Sequence, residues 1–491
     1  MSAVDFLIVI GFIHCSLFFI NILFRSCLHY PYFLFMKNTG LEIKPFRIVW
    51  FTSFFNRKII KWSMEKTKLL SLWFNLGVII SIILLPIALG VLIKMTLSNF
   101  VNKSTGDTAD VNWQLEPMIP GINVPVSDIQ YYIITLGICS LFHELGHAVA
   151  ASHENVQIYG VGFILALVLP IAYVSINQEQ LKSLKVPGQL RILCAGVWHN
   201  IVLAAVAAAI FYLNSWIWIP LFVSNSGVFV TSIAMNSPLL GARGLEARNI
   251  IFKINNCEVK NNDDWYNCLL QTIKEPTPGY CVKQNIIEEN DESIPSWISE
   301  NGVTNCCKNK NDGNLCFEYV ENSQDPLELP PYFCLPARKI IEKSEKMCQL
   351  FSDCSGSDVH CIKPSVDNVT KIVKLSTHKG NVLFLGHAAE IYRTVETSNW
   401  TPKYQLFSPS LPEGLETLCK YVTVLSLGLA VINIIPCFFF DGQYIIESLV
   451  QSTLRSIVRQ KSARNSIALI ITCSGSVVFI INLIVALTKM Y

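Results

Sequence analysis

The sequence predicts a polytopic α-helical membrane protein with a short membrane-embedded β-hairpin and a lumenal, PDZ-like, Cys-rich domain. Three observations carry this reading. Of 491 residues, 51% are hydrophobic and only 15% charged, a balance suited to lipid rather than to one large soluble core. Several apolar runs are long enough to cross a bilayer. Ten of the 17 cysteines lie between Cys257 and Cys361, in a polar, loop-rich stretch, and an even number so concentrated points to disulfides formed in an oxidising compartment. A net charge of +2 without a basic tract gives no footprint for a nucleic acid, and none is expected as a partner.

From the start, Phe6 to Phe24 is a continuous apolar run with no small-residue cleavage site after it, and reads as a signal anchor. Arg25 to Leu72 carries nine basic residues against Glu42 and Glu65, which assigns it to the cytoplasm by the positive-inside rule. The aromatic clusters at Tyr30 to Phe35 and Trp50 to Phe55 suggest that it lies on the membrane surface. Trp73 to Ile93 is a second span, and Pro86 within it is tolerated in lipid. Lys94 to Asp128 is an acid-rich polar connection (Asp107, Asp110, Glu116, Asp128) with a sequon at Asn102, and is expected on the lumenal side.

Ile129 to Ala151 is the third span. Tyr159 to Ile176 is apolar but broken by Gly160, Gly162 and Pro170 and rich in β-branched and aromatic residues, so a hairpin tucked into the membrane face is expected, with a short helix as the alternative. Its edge must pack on helices or line a cavity. Leu190 to Phe211 reads as another span. From Ser224 the composition changes. Gly227-Val228-Phe229-Val230, Asn236-Ser237-Pro238, Gly244-Leu245 and the run Asn249 to Asn255 suggest a PDZ-type module, which would accept extended peptides by strand addition. The Cys-rich stretch interrupts it, and strand-like sequence resumes at Lys371 to Leu385. Sequons at Asn368 and Asn399 make these two residues, with Asn102, the glycosylation candidates. The other seven cysteines sit in or near apolar segments and are expected to stay reduced. Tyr421 to Tyr444 is a span ending in Asp441, Arg455 to Arg464 a basic cytoplasmic segment, and Ile467 to Leu487 the last span. The chain thus divides into residues 1–128 (N-terminal spans and loops), 129–222 (a membrane core), 223–415 (the lumenal domain, its insertion at 257–365) and 416–491 (C-terminal spans). Counting crossings, both termini are lumenal; an extra hairpin would flip them.

The chemistry centres on Leu141 to Ala150, which reads LFHELGHAVA. On a helix, positions i and i+4 share a face, so His143 and His147 can point imidazole nitrogens at one tetrahedral Zn2+. Glu144 lands beside the ion, where it can take a proton from the metal's water. Ionisable groups in a membrane-buried stretch are costly, which argues for a working site over a chance match. Asp441, at the end of an otherwise uncharged span, needs a cation or a proton, and with a zinc site incomplete elsewhere in the membrane it reads as the third ligand. Three protein ligands would leave one position open for water, as catalytic zinc requires. Asn200 is a polar group in lipid that either bridges helices or faces the water and a substrate carbonyl. His199 reads as a satisfied structural histidine. Among other classes, a metal transporter would not need the glutamate between the histidines, and an inactive scaffold would be expected to have lost a ligand.

HELGH at 143–147, AGVWHN at 195–200 and NIIPCFFFDG at 433–442 are similar, in kind and order, to the three signatures of the site-2 protease family of intramembrane zinc metalloproteases. The resemblance covers nearly the whole chain, including the broken PDZ-like module and its Cys-rich insertion. It implies one Zn2+ on His143, His147 and Asp441, Glu144 as general base, and supporting polar roles for Asn200 and Asn433. It also implies residence in Golgi and endoplasmic reticulum membranes. Substrates there would be membrane-anchored transcription factor precursors, such as sterol regulatory element-binding proteins and endoplasmic-reticulum stress factors, already cut once on the lumenal side. Phe440, where an aliphatic residue commonly precedes the Asp-Gly pair, and the lack of the serine-rich tract that some relatives carry are small departures.

Overall fold

A computed structural model describes residues 3–105, 117–119, 122–241, 243–299, 302–308, 313–320, 332–356 and 358–490, with the backbone alone at 3–7, 99–105 and 490. Two compact units emerge, one built from residues 1–213 and 415–491, the other from 214–414. Among the described residues, six helices are long and apolar enough to cross a membrane: Ile8–Cys27, Thr67–Ser98, Val126–His153, Ala195–Trp218, Ser410–Ile434 and Lys461–Lys489. The chain is thus polytopic in character, as its composition implies.

The first unit begins with α1 (Ala3–Cys27) and α2 (His29–Thr39). Gly40 ends α2 at φ +68°, a conformation that favours glycine, and Phe51 O lies so close that no Cβ fits. Strands β1 (Leu41–Lys44) and β2 (Arg47–Thr52) follow, then α3 (Asn56–Glu65) and α4 (Thr67–Thr105). Helix α4 runs well past Ile93, so Asn102 lies near its C-terminal end rather than in a loop. Asp107, Asp110 and Glu116 of that connection lie outside the described residues. Next come α5 (Ile129–His153), β3 (Ile158–Ala166), β4 (Leu169–Ile176), α6 (Gln178–Ser183), α7 (Val186–Leu193) and α8 (Ala195–Trp218).

The expected hairpin is β3 and β4, paired antiparallel from Ala166↔Leu169 to Ile158↔Ile176. It does not stand alone. β2 pairs with β3 along Arg47↔Ala166 to Thr52↔Val161, and β1 with β2, giving a four-stranded sheet in the order β1-β2-β3-β4. Trp50 and Phe51 therefore belong to a strand, where the sequence reading placed a surface loop. The signal was present: Arg47-Ile-Val-Trp-Phe-Thr is β-branched and aromatic, and it follows a Pro45-Phe46 turn with Phe46 at φ +57°.

Two predicted spans are revised. The stretch from Leu190 is not one helix: α7 ends at Leu193 and α8 starts at Ala195. The run Tyr421 to Tyr444 is likewise broken. Helix Ser410–Ile434 stops before Pro436, which lacks an N–H to continue it, and Phe439 adopts φ +72°. A separate helix, Asp441–Thr453, then begins at Asp441. At Gly442 a Cβ would strike the carbonyl oxygens of Ile434 and Ile435, so this glycine allows close packing of the new helix on the end of the old one. In the basic segment beyond it, Arg464 is buried and donates from Nε to Gln451 Oε1 (2.9 Å) and from Nη1 to Val458 O (2.6 Å) and Arg459 O (3.0 Å).

The second unit holds a six-stranded sheet in the order Gly380–Gly386, Lys371–Thr377, Ile250–Ile254, Phe222–Ile233, Val395–Pro402, with Cys257–Glu258 paired to Ile250–Ile254. Strands from both sides of the Cys-rich stretch thus share one sheet, and Val228, Val230, Ile251, Ile254, Trp265, Val373, Leu375 and Phe384 form its core. A five-stranded sheet (Tyr332–Pro336, Asn314–Tyr319, Val359–Pro364, Gly279–Lys283, Met347–Cys348) is built within the stretch itself. All ten clustered cysteines are bonded, as Cys257–Cys268, Cys281–Cys354, Cys306–Cys316, Cys307–Cys334 and Cys348–Cys361. The other seven are free.

Candidate metal centre

Helix α5 buries its C-terminal half, where Gly146, Ala148, Ala150 and Ala151 are small enough to bring neighbours close. Gly146 faces Ala195 O and the His199 ring at a distance that admits no Cβ, which seats the start of α8 directly on the histidine-bearing turn. His143 and His147 project from that turn with their Nε2 atoms 3.2 Å apart. The first residue of helix Asp441–Thr453 completes the group: Asp441 Oδ2 lies 3.1 Å from His143 Nε2 and 3.2 Å from His147 Nε2. A carboxylate is favoured at a helix N-terminus by the macrodipole, so the break before Asp441 both aims the carboxylate at the histidines and suits its charge.

Three donor atoms thus form a nearly equilateral triangle. A single proton lies along one donor–acceptor line and bridges two atoms, leaving lone pairs of the third pointed at the others. A cation bonded to all three resolves this. For a tetrahedral Zn2+ with bonds of about 2.0–2.1 Å, ligand atoms are separated by about 3.3–3.4 Å, within a few tenths of the triangle's sides. Gly196 of α8 closes the cradle. A Cβ there would come 2.5 Å from His143 Cε1, 2.6 Å from His143 Nε2, and closer still to His147 Nε2. Only a hydrogen at this position leaves the imidazole nitrogens clear. The residues fit a zinc ion.

Outer contacts fix the rings. His147 Nδ1–H donates to Ile192 O at 2.8 Å, which leaves its Nε2 lone pair free for a metal. Asn200 lies with its amide 3.2 Å from His143 Nδ1. With Nδ2 turned to the ring, Asn200 Oδ1 is buried without a partner. Exchanging the two amide positions lets Oδ1 accept from His143 Nδ1–H and frees His143 Nε2 in the same way, so we assign the amide in that sense. Asn200 is therefore a partner of His143, while its backbone carbonyl accepts from Ser426 Oγ at 3.0 Å across to helix Ser410–Ile434. Glu144 is half-buried, and its Oε2 accepts from Val174 N–H of β4 at 3.0 Å. One turn earlier, Ser140 Oγ accepts from Ala172 N–H at 2.7 Å. Two outward amides of the terminal strand β4 are thereby held by α5.

Asn433 is half-buried in the last turn of its helix and makes no side-chain hydrogen bond among the described residues. His199 is a satisfied histidine, with Nδ1 2.8 Å from Ala195 O and its ring against Trp73 and Phe74. Cys281, Cys348 and Cys354 also cluster, but each is spent in a disulfide. Of the sequon asparagines, Asn368 is exposed; Asn399 is half-buried in a strand, its Oδ1 accepting from Asn262 N–H at 2.6 Å; Asn102 is described by its backbone alone. Ile192 and the Val174 amide escaped the sequence reading. Gly196, inside AGVWHN, carried a signal, since a glycine early in an apolar helix marks a close approach.

Residues 131–485 match the family described as Peptidase family M50. The chain is 24% identical over 465 residues to a protein of Arabidopsis thaliana named "Membrane-bound transcription factor site-2 protease homolog", an alignment covering 85% of this chain and 87% of that one.

Proposed function

The chain belongs to peptidase family M50, the site-2 protease family, and from that premise we propose that it is an intramembrane zinc metalloendopeptidase acting on the transmembrane segments of membrane-anchored proteins. The observation that carries this is the triangle of His143 Nε2, His147 Nε2 and Asp441 Oδ2 with Glu144 on the adjoining position of the same helix turn, in a unit of bilayer-length apolar helices.

His143, His147 and Asp441 would hold the Zn2+, which would supply Lewis-acid chemistry toward a peptide carbonyl and a water, whose pKa such an ion brings to about 7. The protein's own groups do the rest. Glu144 takes the water's proton and can return it to the leaving amine. Ile192 O and Asn200 Oδ1 keep both imidazoles in the tautomer that presents Nε2. A substrate helix hides its carbonyls in its own hydrogen bonds and must unwind before it is cut. Terminal strand β4, tied to Glu144 through the Val174 amide, offers a backbone template for the unwound stretch. A strand adding there competes with Ser140 and Glu144 for the amides of Ala172 and Val174, so substrate pairing at Val174 also releases the base.

The same proposal takes in the finer assignments. The Asn214–Gly414 unit is a PDZ-type module interrupted by a Cys-rich insertion and lies on the lumenal side, a reading supported by five disulfides that an oxidising compartment would form. The protein works in Golgi and endoplasmic reticulum membranes on transcription factor precursors already cut in the lumen, of the sterol regulatory element-binding and stress-factor kinds. The name of the Arabidopsis relative supports the substrate class. The test is Glu144→Gln in purified full chain. One Zn2+ per chain should be retained while cleavage of a transmembrane reporter is lost, because the amide cannot take a proton and both imidazoles remain. Retained turnover would overturn the assignment of the base, and wild-type protein without stoichiometric zinc would overturn the metalloprotease.

A further inference from the structure

The zinc triangle joins two helices whose contributing residues, His147 and Asp441, are 294 positions apart in sequence. Something must hold those helices in register to a few tenths of an ångström. We infer that α7, the eight-residue helix between the hairpin and α8, is that strut, with Arg191 and Gln189 as its positioning residues.

Three contacts on α7 support this. Its Ile192 carbonyl orients His147 at 2.8 Å. Arg191 grips Glu154, the residue capping the C-terminus of α5, with Nε 2.7 Å from Oε1 and Nη2 3.2 Å from Oε2, while Nη1 donates to Asn75 Oδ1 of α4 at 3.1 Å. Glu154 lies seven residues, two helical turns, beyond His147, so this fork fixes both the depth and the rotation of the ligand-bearing helix. The pair is largely buried, at 23% and 14% side-chain exposure, and is not a solvent-screened surface bridge. Gly188 of α7 makes room for it, since a Cβ there would meet Glu154 Oε2 at 2.8 Å. On the other side, Gln189 Oε1 accepts from Ser448 Oγ at 3.1 Å, two turns along the helix that starts with Asp441. The Gln189 amide nitrogen meanwhile donates to Leu184 O at 2.9 Å and Lys182 O at 3.2 Å, anchoring the approach to α7. Pro187, with its φ fixed, preorganises the first turn. One short helix therefore touches a ligand ring, the helix that carries two ligands, and the helix that carries the third.

The inference rests on the zinc reading above, and its test separates the two. Metal affinity of purified full-length protein is measured by chelator competition, together with the visible absorption of the Co2+-substituted site and the thermal unfolding of the metal-free chain. Arg191→Ala should weaken metal binding by about 10–100-fold, as loss of groups that orient ligands does, and should change the tetrahedral Co2+ bands. Arg191→Lys, which keeps the charge but not the fork, should fall between it and wild type. Ser448→Ala should weaken binding several-fold without moving the metal-free unfolding midpoint, and it decides the matter if Arg191→Ala does not fold. Wild-type affinity and Co2+ spectrum in the variants that fold would overturn the strut while leaving the zinc site standing. A wild-type chain that bound neither Zn2+ nor Co2+ would overturn the reading on which it rests.

Discussion

Substituting Gly196 by alanine isolates the cradle from every polar contact, because it adds one methyl group and removes nothing. Built on the observed backbone, that Cβ stands 2.5 Å from His143 Cε1 and 2.6 Å from His143 Nε2, with His147 Nε2 nearer still. Ordinary carbon contacts lie at about 3.5–4.0 Å, so the rings must retreat by roughly 1 Å. Metal–ligand distances tolerate about 0.2 Å. His147 cannot swing freely, being tied to Ile192 O at 2.8 Å, so His143 leaves the metal or α5 and α8 separate. Apparent zinc-binding free energies of about 10–16 kcal/mol, shared among three protein ligands, put the loss of one at roughly 3–5 kcal/mol, or two to four orders of magnitude in affinity. The assay is zinc content by elemental analysis after dialysis against a graded chelator. Gly428→Ala, in a helix of the same unit with nothing within 4 Å of the added carbon, is the matched control. Wild-type affinity in Gly196→Ala beside an unchanged Gly428→Ala would refute the cradle.

Two further outcomes concern the second unit. Cys281–Cys354 closes a loop with a sequence separation of 73, against 10 for Cys306–Cys316. Loop-closure entropy then assigns about 4.5 and 2.8 kcal/mol to them as upper values. Replacing both cysteines of the first pair by serine should lower the calorimetric unfolding midpoint of the full chain more than the same change in the second; the reverse order would contradict the pairing. Asn368→Gln should abolish most of the gel shift produced by enzymatic deglycosylation, because Asn368 is exposed whereas Asn399 is half-buried and hydrogen-bonded. An unchanged shift in Asn368→Gln would assign the glycan elsewhere, and no shift in wild type would remove support for lumenal exposure of that unit.

Local order was legible in the sequence. His143 and His147 share a face because four residues make about one helical turn, and that relation needs no tertiary contact. The apolar runs announced bilayer-length helices, and the glycines, Pro170 and β-branched residues of Tyr159 to Ile176 announced strands. The crowding of ten cysteines announced disulfides, but ten thiols admit many pairings and only the folded chain selects five of them. What the tertiary structure decided is how distant pieces meet. Asp441 looked like the end of a span, yet it opens a new helix, and its distance to His147 depends on a break at Pro436 and on packing of Gly442 against Ile434 and Ile435. β1 and β2 carried a compositional signal, but strands of four and six residues hold too little periodicity to be told from interfacial aromatics, and the sheet emerges only where β1 pairs with β2 and β2 with β3. α7 was absorbed into a longer apolar run for the same reason. Hydrophobic pattern records which residues leave water; it does not record which helices face one another, and the triangle of His143, His147 and Asp441 exists only where the start of one helix meets the histidine-bearing face of another.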